Sequence, residues 1–440
     1  MLPLGEIARI VGGRLTGDPD RIPVGVIHDS RLVREGDLFV ALPGERTDGH
    51  LFVADALSRG ACGAIVSRPL PGGTLIVVEE TLTALQALAR AWRERLTSTI
   101  IAITGSNGKT TTRDLLSHIL AAKMRVYSSP ENYNTEVGLP IALLGMKKTD
   151  EIGVFELATG SPGDIPLLAG ILRPDGAVIT GVGPSHLGSF GSIEAVAEEK
   201  WSLAASLKEG SLLVVNADSV YLRSRIGKEA IAVGIEHGDT RGRVLQEVPR
   251  LIVEVPSPRI VLDSPLLGAH NATNLLLATV TALRLGIPIG TIIERAATFS
   301  LREHRLRPIG ARFGTILDDT YNANPASTLA AIRVLSRFGG EGSKRIFVFG
   351  EMLDLGEDSP RYHRKVVEEA LRLGIDRIYP VGDRPTAASR ESGTDRAVYS
   401  RPEDLVRTLS NELSGPDDVV LVKGSRALAL ERIVDRLRSL

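Results

Sequence analysis

The apolar positions of this chain fall into three successive patterns, each mixing strand and helix. Near the N-terminus, short apolar runs, DLFVAL from Asp37, GAIVS from Gly63 and LIVVE from Leu75, precede a stretch from Ala84 to Arg95 with apolar residues at helical spacing. These predict a small α/β domain over residues 1–97. Within it, the segment from His28 to His50, HDSRLVREGDLFVALPGERTDGH, is dense in glycine and polar turn residues. That composition suits a loop-built binding surface and ordinary hairpin turns about equally.

From Thr99 the order becomes strand, loop, helix: TIIAIT, GSNGK, then TTTRDLLSHILAA. Buried-strand runs at Ile152 to Glu156, Ala177 to Thr180 and Leu212 to Asn216 alternate with helical stretches such as Glu194 to Leu207. Strands alternating with helices predict a parallel sheet covered on both faces. Between Ile231 and Leu262 short runs spaced by turns suggest a small antiparallel insertion, and a helix from Gly268 to Gly286 resumes the layered pattern. This central domain spans 98–309. A third alternation follows Arg305: TILDD, a helix from Pro325 to Arg337, RIFVFG, a helix from Ser359 to Leu373, RIYPVG and DDVVLVKG before a terminal helix. It reads as a Rossmann-like domain over 310–440. The fold class is therefore α/β with three domains, the middle one built on a P-loop and a parallel sheet.

Composition narrows the function classes. With 52 basic and 53 acidic residues the net charge is -1, so no overall field steers nucleic acid or an anionic membrane, and neither is an expected partner. Cys62 is the one cysteine, which excludes an intrachain disulfide and a thiolate metal site and suits a reducing compartment. No run approaches the ~18 apolar residues of a membrane span, and the N-terminus has no basic segment before an apolar run. A cytoplasmic protein, monomeric in the simplest case, is expected. Only ten of the 52 basic residues are lysine. A lysine among glycines or metal-type residues is thus there for its amine more often than by default.

The strongest local motif is TGSNGKTTT, Thr104 to Thr112, placed between a buried strand and a helix where backbone N–H groups and the helix N-terminus can hold phosphate. Gly105, Ser106, Asn107, Gly108, Lys109, Thr110 and Thr111 would form the cradle, with Lys109 on the β/γ-phosphates and Thr110 offering its hydroxyl to Mg²⁺. The loop is the short G-x-x-G-K-T form. Glu156 ends the run IGVFE, where a sheet presents it beside such a loop as a metal ligand; alone it would read as a solvated strand end. His186, past the strand AVITG, suits a metal or phosphate contact, although an isolated loop histidine is more often structural. In the third domain, Asp318 and Asp319 end a strand and Asn322 and Asn324 lie in the turn of TILDDTYNANP. These side chains suit a base or ribose, and equally an Asx turn capping the next helix. FGEMLDLGED (Phe349 to Asp358) and LVKGSRA (Leu421 to Ala427) follow strands of the same sheet, and Lys423 and Arg426 make that crevice cationic enough for a carboxylate.

Taken in order, TGSNGKTTT, ENYNTEVGLP, FELATG, SHLGSFGS, GAHNATN, HRLRP, DDTYNANP, GEMLDLGE and VKGSR resemble the Mur ligase family over the whole chain. The resemblance implies an ATP- and Mg²⁺-dependent amide ligase of peptidoglycan precursor synthesis, and through it of cell shape and division. The resemblance is strongest to the members that add D-Ala-D-Ala, which implies UDP-MurNAc-tripeptide and D-Ala-D-Ala as substrates, and the DNPR-like motif expected of a diaminopimelate- or lysine-adding relative does not appear. By motif, Ser30 and Arg31 would hold the UDP-sugar end. Glu156 and His186 would bind metal, Asn271 adenine, and Arg305 and Asp319 the nucleotide from the third domain. Lys200 stands where the family carries a carbamylated lysine, and Lys423, Ser425 and Arg426 would help bind the dipeptide or the peptide end. Departures from the family pattern include ELATGSPGDI from Glu156, ENYNTEVG with Glu131 and Thr135, HLGSFGS, and Ser202 where a glutamate is usual. They keep open a ligase of the same architecture joining another acid and amine. A P-loop kinase or a nucleotide-switch module is the alternative from another class.

Overall fold

The computed structural model describes residues 1–44, 47–256, 259–393, 402–413 and 415–439. They divide into two compact units: Met1–Thr104, Leu120–Val178 and Trp201–Leu213 in one, and Gly105–Ile119, Ile179–Lys200 and Val214–Leu440 in the other. Residues 45 and 46 of the glycine-rich segment lie outside the described residues.

In the first unit a five-stranded sheet runs in the order Arg14–Thr16, Leu75–Val77, Gly63–Val66, Leu38–Val40, Val26–Ile27. The Arg14–Thr16 edge is antiparallel and the rest parallel. The helix Thr81–Arg93 starts where the Glu80 carboxylate accepts from the backbone N–H groups of Leu82 and Thr83, satisfying donors the first turn leaves free. Its residues Ala84, Leu85, Leu88, Ala89 and Trp92 form one buried stripe, and the Trp92 indole donates to the Met146 carbonyl at 3.0 Å. The same core takes in the strand Thr99–Thr104, paired in parallel with Ile152–Glu156, which in turn pairs with Val126–Ser128. Both long strands are almost wholly apolar, as strands buried on two faces must be.

In the second unit the strand Ile231–Gly234 corrects one sequence expectation. Assigned to an antiparallel insertion, it instead pairs in parallel with the end of Leu212–Asn216. The short helix Val220–Arg223 makes the crossover. A run of four apolar residues carries no period that distinguishes the two cases. The antiparallel element consists of Arg243–Gln246, Leu251–Pro256 and Arg259–Ser264. The C-terminal sheet has the order Arg307–Ala311, Gly314–Asp319, Asp418–Lys423, Arg345–Gly350, Arg377–Val381. Its first strand was not legible in the sequence because Pro308 and Gly310 interrupt it, and it is tolerated as an antiparallel edge. Register places Asp319 and Phe349 on either side of Lys423, so the loops after these three strands emerge at one end of the sheet. The turn after Asp319 leads into the helix Pro325–Arg337, opened by an Asn324/Ser327 capping box with proline in the first turn.

Candidate active site

The phosphate cradle begins where Thr99–Thr104 ends and closes where the helix Lys109–Leu120 starts. Two of its glycines are required by geometry. Gly105 and Gly108 both have positive φ, 155° and 82°, and a Cβ on either would collide, with the Thr180 hydroxyl at Gly105 and the Asn274 side chain at Gly108. Gly108→Ala is therefore expected to cost ~1–3 kcal/mol of stability and to weaken nucleotide binding at least about tenfold, measured by thermal unfolding and ADP titration.

The loop is tied to its surroundings within the second unit through Ser106 and Asn107. The Ser106 hydroxyl donates to the Gly183 carbonyl and accepts from Gly183 N–H and the Ser185 hydroxyl, each at 3.0 Å, so the cradle and the segment leading into His186 are one hydrogen-bonded piece. Thr180 donates to the Asn107 carbonyl. Lys109 folds its ammonium back onto the Gly105 carbonyl at 2.8 Å, inside the ring the phosphates would fill. The Asn107 amide oxygen accepts from Asn324 Nδ2 at 2.7 Å, linking the cradle to the cap of Pro325–Arg337.

Lys200, on the helix Ile193–Ala205, is 1 % exposed. Burial, followed by the charge of Lys109, pulls its pKa from the usual lysine range down to about 7. His186 precedes the turn Leu187–Phe190 in a left-handed conformation with φ 54°, and that turn packs on the Gly356–Asp358 turn. In the first unit, Glu156 is buried and accepts from Asn134 Nδ2 at 3.0 Å. Ser30 is buried there too, while Arg31 is 82 % exposed in its side chain and paired with Asp29, whose pKa falls to about 2 chiefly through the Arg31 hydrogen bond.

Other expected residues are brought to the cradle by the C-terminal elements of the second unit. Arg305 donates to the Thr110 hydroxyl at 3.0 Å and stacks over the Tyr321 ring, 3.8 Å from its centroid. Asp319 accepts from Lys423 Nζ at 2.6 Å, and the same ammonium donates to the Asn322 carbonyl at 2.9 Å. Lys423 thus braces the Asp319 carboxylate and the turn that follows it. Ser425 holds up the loop after Gly350: its hydroxyl accepts from Leu353 N–H at 2.9 Å, and its N–H donates to the Glu351 carbonyl. Arg426 pairs with Glu431 at 3.0 Å. That loop lines a cavity of about 480 Å³ with Glu351, Asp354, Glu357, Ser359 and Arg384 on its walls.

Asn271 donates to the Leu267 carbonyl and accepts from Asn274, whose Oδ1 also receives the Thr112 hydroxyl. Asn274 and Tyr321, which these contacts bring beside the cradle, were not singled out in the sequence, whereas Asn324 was read there as a turn amide that suits a base or ribose. Asn274 had a sequence signal, lying three residues after Asn271 on the same helix face. Tyr321 stands inside the motif DDTYNANP, where a turn reading absorbs it.

Family models match three stretches: "Mur ligase family, catalytic domain" over residues 24–93, "Mur ligase middle domain" over 103–282 and "Mur ligase, glutamate ligase domain" over 304–426. A Bacillus subtilis protein named UDP-N-acetylmuramoyl-tripeptide–D-alanyl-D-alanine ligase is 33 % identical over 98 % of this chain and 97 % of its own length. The chain belongs to the Mur ligase family. Among solved structures, MurF from Acinetobacter baumannii superposes with a TM-score of 0.89 at 28 % identity, covering 100 % of this chain and 99 % of that one. MurF ligase from Thermotoga maritima, determined in complex with ADP, gives 0.83 at 30 % identity over 94 % and 97 %. These Mur ligases are alike along their full length, so the motif order read in the sequence corresponds to a shared architecture. No helix among the described residues is long and apolar enough to cross a membrane.

Proposed function

We propose that this Mur ligase joins D-Ala-D-Ala to the terminal carboxylate of UDP-MurNAc-tripeptide at the expense of ATP, as a cytoplasmic step in peptidoglycan precursor synthesis. The observation that carries the reading is the cradle Gly105–Thr111 with Lys109 turned into it, in a chain similar end to end to ligases named for that reaction. The three-domain division, 1–97 for the UDP-sugar, 98–309 for ATP and 310–440 for closure, is part of the proposal.

In this reading the γ-phosphoryl group passes from ATP to the peptide carboxylate, giving an acyl phosphate and ADP. The dipeptide amine then adds to the acyl carbon, loses a proton, and phosphate leaves as the amide forms. Lys109 offsets charge on the transferring group, and the backbone N–H groups of the cradle keep the leaving phosphates in place. Arg305 and Asp319 hold the nucleotide from the third domain. The cavity beside the Leu187–Phe190 turn is where we place the dipeptide: Glu351, Asp354 and Glu357 suit its ammonium and Arg384 its carboxylate.

Mg²⁺ fits the donor chemistry of this site. Thr110, at the start of the cradle helix, would supply a hard oxygen of the kind Mg²⁺ takes beside phosphate oxygens. His186 and a carbamylated Lys200, in the same unit as Thr110, are the further ligands this reading assigns. When bound, the ion neutralises charge shared between the β- and γ-phosphates.

The test is ADP release against a panel of acid and amine pairs. Release is expected only when UDP-MurNAc-tripeptide and D-Ala-D-Ala are both present, with the amide product seen by mass. Turnover with the acid alone that ends in a stable phosphorylated product would turn the reading toward a kinase.

A further inference from the structure

The segment that carries Arg305 to the cradle has an unusual backbone. His304 and Leu306 both adopt left-handed conformations, φ 63° and 51°, with Arg305 between them. L side chains take up this region at a cost, more so a γ-branched leucine than the polar residues that visit it by hydrogen bonding locally. Such a turn persists only where neighbours over-determine it.

Here the neighbours are identifiable, and all lie within the second unit. Arg302 Nη2 donates to Asp114 on the cradle helix at 3.0 Å, fixing the segment before the turn. The His304 carbonyl accepts from Tyr321 N–H at 3.0 Å, and Leu306 N–H donates to Asp319 Oδ1 at 3.1 Å. The remaining tie is a side-chain cluster. His304 Nδ1 lies 2.8 Å from Asp318 Oδ2, and the Thr320 hydroxyl donates to Asp318 Oδ1 at 2.7 Å while standing 3.2 Å from the same ring nitrogen. With the Thr320 proton on the carboxylate, Nδ1 must be the donor to Asp318. Asp318 is buried, at 2 % exposure, so this charge-assisted bond is sheltered from water.

We propose that His304 is a positioning residue for nucleotide binding: its Nδ1–H, anchored on Asp318, holds the strained turn that aims Arg305 at the Thr110 hydroxyl and over Tyr321. It touches neither nucleotide nor substrate. It acts by keeping the Arg305 guanidinium in the one place from which it reaches the phosphate end of the cradle. The inference rests on the nucleotide lying in the Gly105–Thr111 loop.

Three substitutions separate the hydrogen bond from the backbone strain. His304→Ala removes the donor and keeps the strain. His304→Gly removes the donor but adopts positive φ freely. His304→Asn tolerates the left-handed region and carries an N–H near the place of Nδ1. ADP affinity is measured by calorimetry on the full chain, with KM for ATP, kcat and thermal unfolding alongside. We expect alanine and glycine to weaken ADP binding and raise KM for ATP about tenfold with kcat much less affected, and asparagine to restore both to within about twofold. Glycine performing as well as asparagine would overturn the proposal, since only the backbone would then matter. So would normal affinity in the alanine variant, or a loss of affinity in all three that tracks their unfolding temperatures. ADP affinity does not depend on which acid and amine are joined, so a wrong substrate assignment leaves this result readable. Failure of the wild-type chain to bind ADP would instead sink the nucleotide reading and this inference with it.

Discussion

Lys109→Ala is expected to lower ATP turnover by on the order of 10²–10³-fold or more, the loss seen when one preorganised group facing developing charge is removed. The amine hydrogen bonds to the Gly105 carbonyl, so without phosphate it already occupies the ring that phosphate would enter. Among the losses on its deletion is the half-buried hydrogen bond to the Gly105 carbonyl, of a kind worth roughly 0.5–1.5 kcal/mol. Unfolding temperature should therefore move by a few degrees at most while activity collapses. Lys109→Arg should fare little better, because a planar guanidinium does not reproduce the compact point charge of an ammonium against phosphate. Near-normal turnover in the alanine variant would remove the cradle from the mechanism.

What the sequence made legible follows from where its signals are strongest. Thr99–Thr104 and Lys109–Leu120 were readable because a buried parallel strand, a glycine loop and an amphipathic helix differ sharply in pattern over twenty residues. The helix Pro325–Arg337 carries its own cap in Asn324 and its own start in Pro325, and its bounds are those expected. By contrast, Ile231–Gly234 gave an apolar run without direction, and the sheet it joins was decided by a crossover too short to announce itself.

The site divides the same way. Gly105, Gly108, Lys109 and Thr110 could be read from local chemistry, since phosphate demands backbone N–H groups, an amine and a hydroxyl at fixed spacing. Arg305, more than 190 residues further along, came only from the motif order of a family, and Asp319 only as a strand-end carboxylate that suited a ribose and an Asx turn equally. Local sequence does not say that a guanidinium will lie on Thr110 or that Lys423 will spend its charge on Asp319. Those are tertiary facts. Lys423 illustrates it best: as a cation after a strand it suggested a carboxylate of the substrate, and the nearest carboxylate turned out to be the chain's own.

Lys200→Ala is the second large expected effect, and it turns on the state of a buried amine. A charged ammonium at 1 % exposure with Lys109 as its electrostatic neighbour is unfavourable, which is why its pKa drops to about 7. The sign matters for stability as well. The folded chain gives up this proton near pH 7 and the unfolded chain only near 10.4, so the penalty for burying the charge is present in full below 7. It is relieved as pH rises from about 7 to about 10.4. With its pKa drawn down toward neutrality the amine has an unprotonated share, whose lone pair can add to the carbon of CO₂, losing a proton to solvent to leave a carbamate. That exchanges a cation that would repel Lys109 and Mg²⁺ for an anion with two hard oxygens. Alanine at this position is expected to retain ADP binding and to lose activity by on the order of 10²-fold, the loss typical when a group fixing charge at a metal site is removed. Millimolar acetate or propionate should return part of that activity by placing a carboxylate where the carbamate stood. Wild-type enzyme stripped of CO₂ near pH 6, where the amine is mostly protonated, should lose activity and regain it on adding bicarbonate at pH 8. Full activity in the alanine variant, or an intact mass without the 44 Da of CO₂ expected for the adduct in a preparation that turns over normally, would show that Lys200 works as a bare amine or not at all.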